Sequence, residues 1–206
     1  MRFWNDAIIE KSWDVLQRLK KRYDFILIGG WAVYLYTNAM KSKDIDIIVD
    51  YDTLEKIGLE NVLKKNERLK KYEAKFQEIS VDIYLPYFSK IVIPSEELMK
   101  KTAVVQGFKT PAPEELLILK QQAETERKNS IKGMKDRVDI MCLLFSGNIN
   151  FKRYNDLLEK HRLTAFKNRL KEILASAKDE FYYLNIKNPR EIKKLREKYR
   201  KLIESV

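Results

Sequence analysis

The sequence predicts an α+β protein, with a mixed β-sheet and flanking helices over residues 1–110 and a helical domain over residues 111–206. Three features carry that expectation. Short apolar runs bounded by turn residues fill the first half. The proline pair in Thr110-Pro111-Ala112-Pro113 interrupts the pattern. Beyond it, apolar residues recur with helical spacing only.

Trp4, Ile8, Ile9, Trp13, Leu16 and Leu19 follow a helical period, and the basic run Lys20 to Arg22 suits the negative end of a helix dipole. An amphipathic helix therefore opens the chain. Phe25-Ile26-Leu27-Ile28 is a continuous apolar run, which predicts a short buried strand. Gly29-Gly30 turns the chain into a second apolar helix over Trp31 to Asn38, and Asp44 to Val49 is the next strand. Residues 53–65 have helical character. Two strands are expected over Leu69 to Phe76 and Ile79 to Leu85, and a third over Ile91 to Ile93 before Pro94 stops it. After the prolines, helices are expected at Glu114 to Arg127, Lys132 to Phe145, Phe151 to Lys160, Ala165 to Ala177 and Arg190 to Ile203.

Of the 206 residues, 45% are hydrophobic, enough for one substantial core or two small ones. The longest uncharged stretch, Phe25 to Met40, has 16 residues and is broken by Gly29, Gly30, Thr37 and Asn38, too short for a membrane span. Met1 to Asp6 lead straight into a charged helical pattern with no apolar signal core, so a cytoplasmic location is expected. Cys142 is the only cysteine and His161 the only histidine. No disulfide can form within the chain, and a four-ligand zinc site is disfavoured. A catalytic metal, if used, should be a hard ion held by carboxylates, magnesium or manganese.

The net charge of +11 is unevenly spread: residues 1–112 carry 19 basic and 16 acidic groups, and residues 113–206 carry 22 and 14. The second half suits a polyanion through counterion release. A solvated basic surface accounts for the same excess equally well.

In Lys43-Asp44-Ile45-Asp46-Ile47, strand alternation places Asp44 and Asp46 on one face and the isoleucines on the other. Two like charges side by side cost free energy unless solvent, a base or a cation offsets them. An EF-hand loop is excluded, because Ile48 and Val49 occupy its fifth position and its turn glycine. Val81-Asp82-Ile83 repeats the pattern with one acid inside an apolar strand. If that strand lies beside the first, three carboxylates converge, a set able to hold two magnesium ions about 4 Å apart for phosphoryl or nucleotidyl transfer. Gly29-Gly30, between strand and helix, lets a phosphate approach backbone amides. The GxxxxGKS/T and GxGxxG phosphate fingerprints are both absent.

The order strand, Gly29-Gly30, helix, thirteen residues, Asp44-x-Asp46 on a strand and Asp82 on a later strand resembles the signature of the nucleotidyltransferase superfamily related to DNA polymerase β. The resemblance covers residues 24–86. It implies a mixed sheet with flanking helices, two magnesium (or manganese) ions, and transfer of a nucleoside monophosphate from a nucleoside triphosphate such as ATP. By that resemblance Gly29 and Gly30 cradle the triphosphate, Asp44 and Asp46 bind both metals, and Asp82 holds the catalytic metal and helps deprotonate the acceptor hydroxyl. Glu114 to Lys120, Arg127 and Lys135 to Ile140 look like the later motifs of nucleotidyltransferases of the AbiEii toxin type, which implies that Lys120 contacts triphosphate oxygens and Asp136 orients Lys120 or the nucleotide, with Asp139 structural. Read from the residues alone, Lys120 is a solvated group on an amphipathic helix, and Asp136 and Asp139 are ordinary charges near a helix N-terminus.

With that activity, the basic excess of residues 113–206 points to an RNA end, such as tRNA, as the acceptor, and the toxin resemblance implies an antitoxin protein as a partner. Gly29-Gly30-Trp31-Ala32 is also similar to small antibiotic-modifying nucleotidyltransferases, which implies a small hydroxylated acceptor. A catalytically silent module of the same fold, binding RNA or a protein, is the third alternative. Cys142 is expected to pack in the core, His161 to lie at the surface, and Phe181-Tyr182-Tyr183 to pack helices or stack on bases.

Overall fold

A computed structural model describes residues 5–205. Trp4, assigned above to the first helix, lies outside them. The chain divides into two compact units, one ending at Ala112 and the other beginning at Pro113.

The first unit opens with α1 (Asp6–Arg22), capped by the Asn5 side chain, which accepts from the Ala7 amide, and ended by Lys20, Lys21 and Arg22. β1 (Ile26–Ile28) runs directly into α2 (Gly29–Thr37), and Asn38 in the left-handed conformation closes that helix. β2 (Ile45–Ile48) follows, then α3 (Tyr51–Glu60), whose N-cap Asp50 accepts from the Thr53 amide. β3 (Lys64–Asn66), β4 (Lys71–Phe76) and β5 (Ile79–Tyr84) complete a five-stranded sheet in the order β1-β2-β5-β4-β3. The sheet is mixed: β2 and β5 are parallel and the other neighbours antiparallel. A short α4 (Ser95–Leu98) and a separate hairpin, β6 (Ala103–Val105) with β7 (Phe108–Thr110), end the unit.

Ile45, Ile47, Val81 and Ile83 are buried along alternate positions of β2 and β5. Val15, Leu16 and Leu19 of α1 are buried as well, one apolar face of an amphipathic helix. Trp31 anchors α2. Its indole Nε1 donates to Ser12 Oγ at 2.9 Å, and its ring lies 5.1 Å from Trp13 and 5.6 Å from Tyr34. Burying a side chain of this size contributes about 1.5–3 kcal/mol, and here it fixes where the first turn of α2 begins.

Four expectations for the first unit need correction. Ile91 to Ile93 form no strand; Ile93 is buried, but the segment is irregular up to Pro94, whose ring cannot donate to a ladder. The helix over 53–65 stops at Glu60, and residues 64–66 belong to β3. Asp44 sits in a bend immediately before β2, which starts at Ile45. The strand expected from Leu69 starts at Lys71, because Lys70 is held at φ 48° in the turn from β3.

The second unit is helical throughout: α5 (Pro113–Glu126), α6 (Ile131–Phe145), α7 (Phe151–Lys160), α8 (Ala165–Ser176), the short α9 (Asp179–Tyr183) and α10 (Pro189–Glu204). α5 packs on α6, α7 and α8, so Leu116, Leu117, Ile118, Val138, Ile140, Met141 and Leu144 are fully buried. Phe181 stacks on Phe145 at 5.7 Å in this core, while Tyr182 is exposed. Cys142 packs there too, and burial pushes its thiol up to about 12. His161 is the half-buried C-cap of α7, not a surface group. Among the described residues no helix is long and apolar enough to cross a membrane.

Candidate functional site

Parallel pairing of β2 with β5 sets Asp46 directly beside Asp82, and antiparallel pairing of β5 with β4 sets Asp82 beside Glu73. The three acids form one row across adjacent strands, on the face opposite the buried Ile45, Ile47, Val81 and Ile83. At the other end of the row Asp46 faces Ile28, the last residue of β1. The chain then enters α2 through Gly29 at φ +68°. A Cβ built on Gly29 would overlap the Asp46 carboxylate. Both the backbone angle and the close approach therefore demand glycine. The N-cap of α2, Ile28, supplies no side-chain hydrogen bond, so the first-turn amides of α2 open beside Asp46.

Asp44, in the bend before β2, is near enough for its charge to act on Asp82. The structure thus brings Gly29, Gly30, Asp44, Asp46 and Asp82 to one end of one sheet. Lys120 and Asp136 belong to the second unit.

Sequence reasoning missed Lys71. Lys71 Nζ donates to Asp82 Oδ2 at 2.5 Å and lies 3.4 Å from Glu73 Oε1. Burial raises the Asp82 carboxyl above the ordinary aspartate range, with Glu73 and Asp44 adding to that and Lys71 pulling against it. For Lys71, burial opposes the charge, but the hydrogen bond to Asp82 and the charges of Asp82, Glu73 and Asp46 outweigh it and hold the ammonium above the usual lysine value. Asn66 Nδ2 donates to Glu73 at 3.0 Å and holds that carboxyl below its ordinary range. The signal was in the alternation: Lys71 and Glu73 are two residues apart on a strand, so they share a face.

Among the described residues, no group of three or more His, Cys, Asp or Glu side chains stands ready to hold a metal ion. The donor chemistry nevertheless fits a hard divalent cation: the row is carboxylate throughout. It already accommodates one cation, the Lys71 ammonium.

In the second unit, Lys120 and Asp136 are buried rather than solvated. Lys120 Nζ donates to Asp136 Oδ1 at 3.1 Å and pairs with Asp139 Oδ2 at 2.7 Å. Arg127 reaches Asp136 Oδ2 at 2.7 Å, and Lys135 donates to both Asp139 oxygens at 2.7 and 2.8 Å. Burial works against the Asp139 carboxylate, but the charges of Lys120 and Lys135 outweigh it and hold the group below its ordinary range. Gly133 serves this network indirectly, because a side chain there would overlap the Arg127 carbonyl.

Replacing Gly29 by Ala is expected to reduce stability by about 1–3 kcal/mol, from left-handed strain and displacement of Asp46. A denaturant midpoint measured against wild type checks this, and an unchanged midpoint would show that β1 and α2 meet differently.

No family model matches the sequence, and no curated protein matches it. The crystal structure of an antigenic nucleotidyltransferase-like protein from Paracoccidioides brasiliensis is similar to the chain with a TM-score of 0.41 at 16% identity, over 84% of this chain and 94% of that one. Overlap of that extent is no ground for a common fold or activity.

Proposed function

We propose that the protein is a divalent-metal-dependent nucleotidyltransferase that moves a nucleoside monophosphate from a nucleoside triphosphate to an acceptor hydroxyl, with RNA such as tRNA as the acceptor. One observation carries the reading: Asp46 lies beside Asp82 on the parallel strand and abuts Gly29 at the start of α2. Carboxylates for a cation and backbone amides for phosphate oxygens thus meet at one point. In the reaction the acceptor oxygen bonds to the α-phosphorus, the bond from that phosphorus to the β-phosphate oxygen breaks, and pyrophosphate leaves. Asp44 and Asp46 would hold magnesium or manganese, which when bound supplies positive charge against the triphosphate. Gly29 and Gly30 receive phosphate oxygens on their amides, and Asp82 takes the hydroxyl proton. Lys120, oriented by Asp136, is assigned to the triphosphate, and an antitoxin protein is a partner consistent with the toxin-like motifs.

The RNA acceptor rests on α10, whose Lys193, Lys194, Lys198, Arg200 and Lys201 are exposed while Tyr199 and Ile203 are buried. Arg196 does not belong to that surface: its guanidinium donates to the Leu174 and Ala177 carbonyls at the end of α8. Incubation with each α-labelled nucleoside triphosphate, magnesium and total tRNA is expected to place label on RNA. Label on small molecules instead would establish the antibiotic-like alternative, and no label the silent one. Reversing the five exposed charges, with Arg196 kept, should weaken tRNA binding and flatten its salt dependence, since each phosphate neutralised contributes about 0.9 to the logarithmic slope. An unchanged slope would return α10 to a solvated surface.

A further inference from the structure

The structure places the Lys71 ammonium in the acidic row. Its side chain is only 11% exposed, and it faces Asp82 at 2.5 Å and Glu73 at 3.4 Å from a strand paired on both edges. Lys71 opens β4, one residue after the Lys70 turn, and its backbone is register-paired to Asn66 of β3. Any second ion at Asp82 would have to bind its other oxygen or share the one that Lys71 contacts, and either way it would lie against the positive charge of the ammonium, which costs Coulomb energy. Asp44 and Asp46, at the Gly29 end, are the carboxylates of the set that the ammonium does not contact at hydrogen-bond distance in this arrangement.

Resting on the nucleotidyltransferase reading above, we propose that Lys71 is a resident cation standing in for one of the two metal ions, so that the site takes a single divalent ion, at Asp44 and Asp46, together with the triphosphate. Lys71 acts through Asp82, as a positioning residue that keeps the carboxylate aimed at the acceptor hydroxyl. An ammonium cannot bridge phosphate oxygens as a hard ion does, so the single divalent ion remains essential and the lysine answers only for Asp82.

The test counts ions rather than turnover. Manganese bound to the full chain is titrated by electron paramagnetic resonance in the presence of an α,β-methylene nucleoside triphosphate, for wild type, Lys71→Met, Lys71→Gln and Lys71→Arg. Circular dichroism reports whether each variant folds, and the glutamine and arginine variants keep the test valid if the methionine variant does not. One ion per wild-type chain, two in the methionine and glutamine variants and one in the arginine variant is the expected pattern. Two ions in wild type would overturn the proposal while leaving the nucleotidyltransferase reading in place. One ion in every variant would show that Lys71 excludes nothing. No ion in any of them would overturn the reading itself.

Discussion

Replacing Asp46 by Asn is expected to lower metal-dependent nucleotide transfer by about a hundredfold or more, the loss typical of removing a charge on which transition-state stabilisation depends. Asp46 is the residue at which the other parts meet: it is register-paired to Asp82 on one side, faces Ile28 on the other, and touches the space that Gly29 leaves open. Asparagine keeps the shape and one acceptor oxygen, so the strand pairing should persist. Relief of repulsion from Asp82 should leave stability unchanged or slightly raised. Steady-state rates of label transfer, measured beside a thermal melt, check both halves. Turnover above about a tenth of wild type would remove Asp46 from the metal site.

Asp139→Ala should destabilise the helical unit by about 3–5 kcal/mol, because it removes the carboxylate to which the buried Lys135 ammonium donates and leaves the buried Lys120 with Asp136 alone. Asp139 is fully buried, so water cannot compensate. The same group predicts an acid dependence. Its folded value is depressed by the two lysines, so its contribution to stability is present above the ordinary aspartate value of about pH 4 and is lost as pH falls through the lower folded value. Denaturant unfolding followed at neutral pH and at successively lower pH should show wild type converging toward the alanine variant. A parallel acid dependence in the two proteins would mean that Asp139 does not carry it.

The parts legible in the sequence were those in which local chemistry and burial agree. Phe25 to Ile28 form an apolar run that can only be buried, and Gly29-Gly30 ends it; the strand and the glycine turn follow from a few residues. Asp46 and Asp82 showed as acids inside apolar alternation, whereas Asp44 lies in the bend before β2. β3 was hidden because Lys64-Lys65-Asn66, the edge strand of the sheet, has no apolar alternation, and two of the three β4 residues it pairs with, Lys71 and Glu73, are charged as well. The β6–β7 hairpin was hidden because its turn, Gln106 at φ 49° and Gly107 at φ 77°, uses a glutamine where the usual cue is Asn or Asp before Gly. For Lys71, alternation gives the shared face with Glu73 but not the pairing with Asp82: Lys70-Lys71 looks like solvated charge until the order of strands is known, and only β5 lying between β2 and β4 brings that lysine to Asp82. The buried state of Lys120 likewise depends on α5 meeting α6, a long-range pairing that helical spacing alone does not specify.

Equilibrium binding of labelled nucleoside triphosphate tests the central claim without needing to know the acceptor. Binding by the wild-type chain in magnesium should be at least about tenfold tighter than in a chelator, as expected where a hard ion links carboxylates to phosphate oxygens, and Asp46→Asn should abolish that difference. Failure of every nucleoside triphosphate to bind, or binding that neither the chelator nor Asp46→Asn alters, would contradict a metal and nucleotide site at Gly29, Asp44, Asp46 and Asp82.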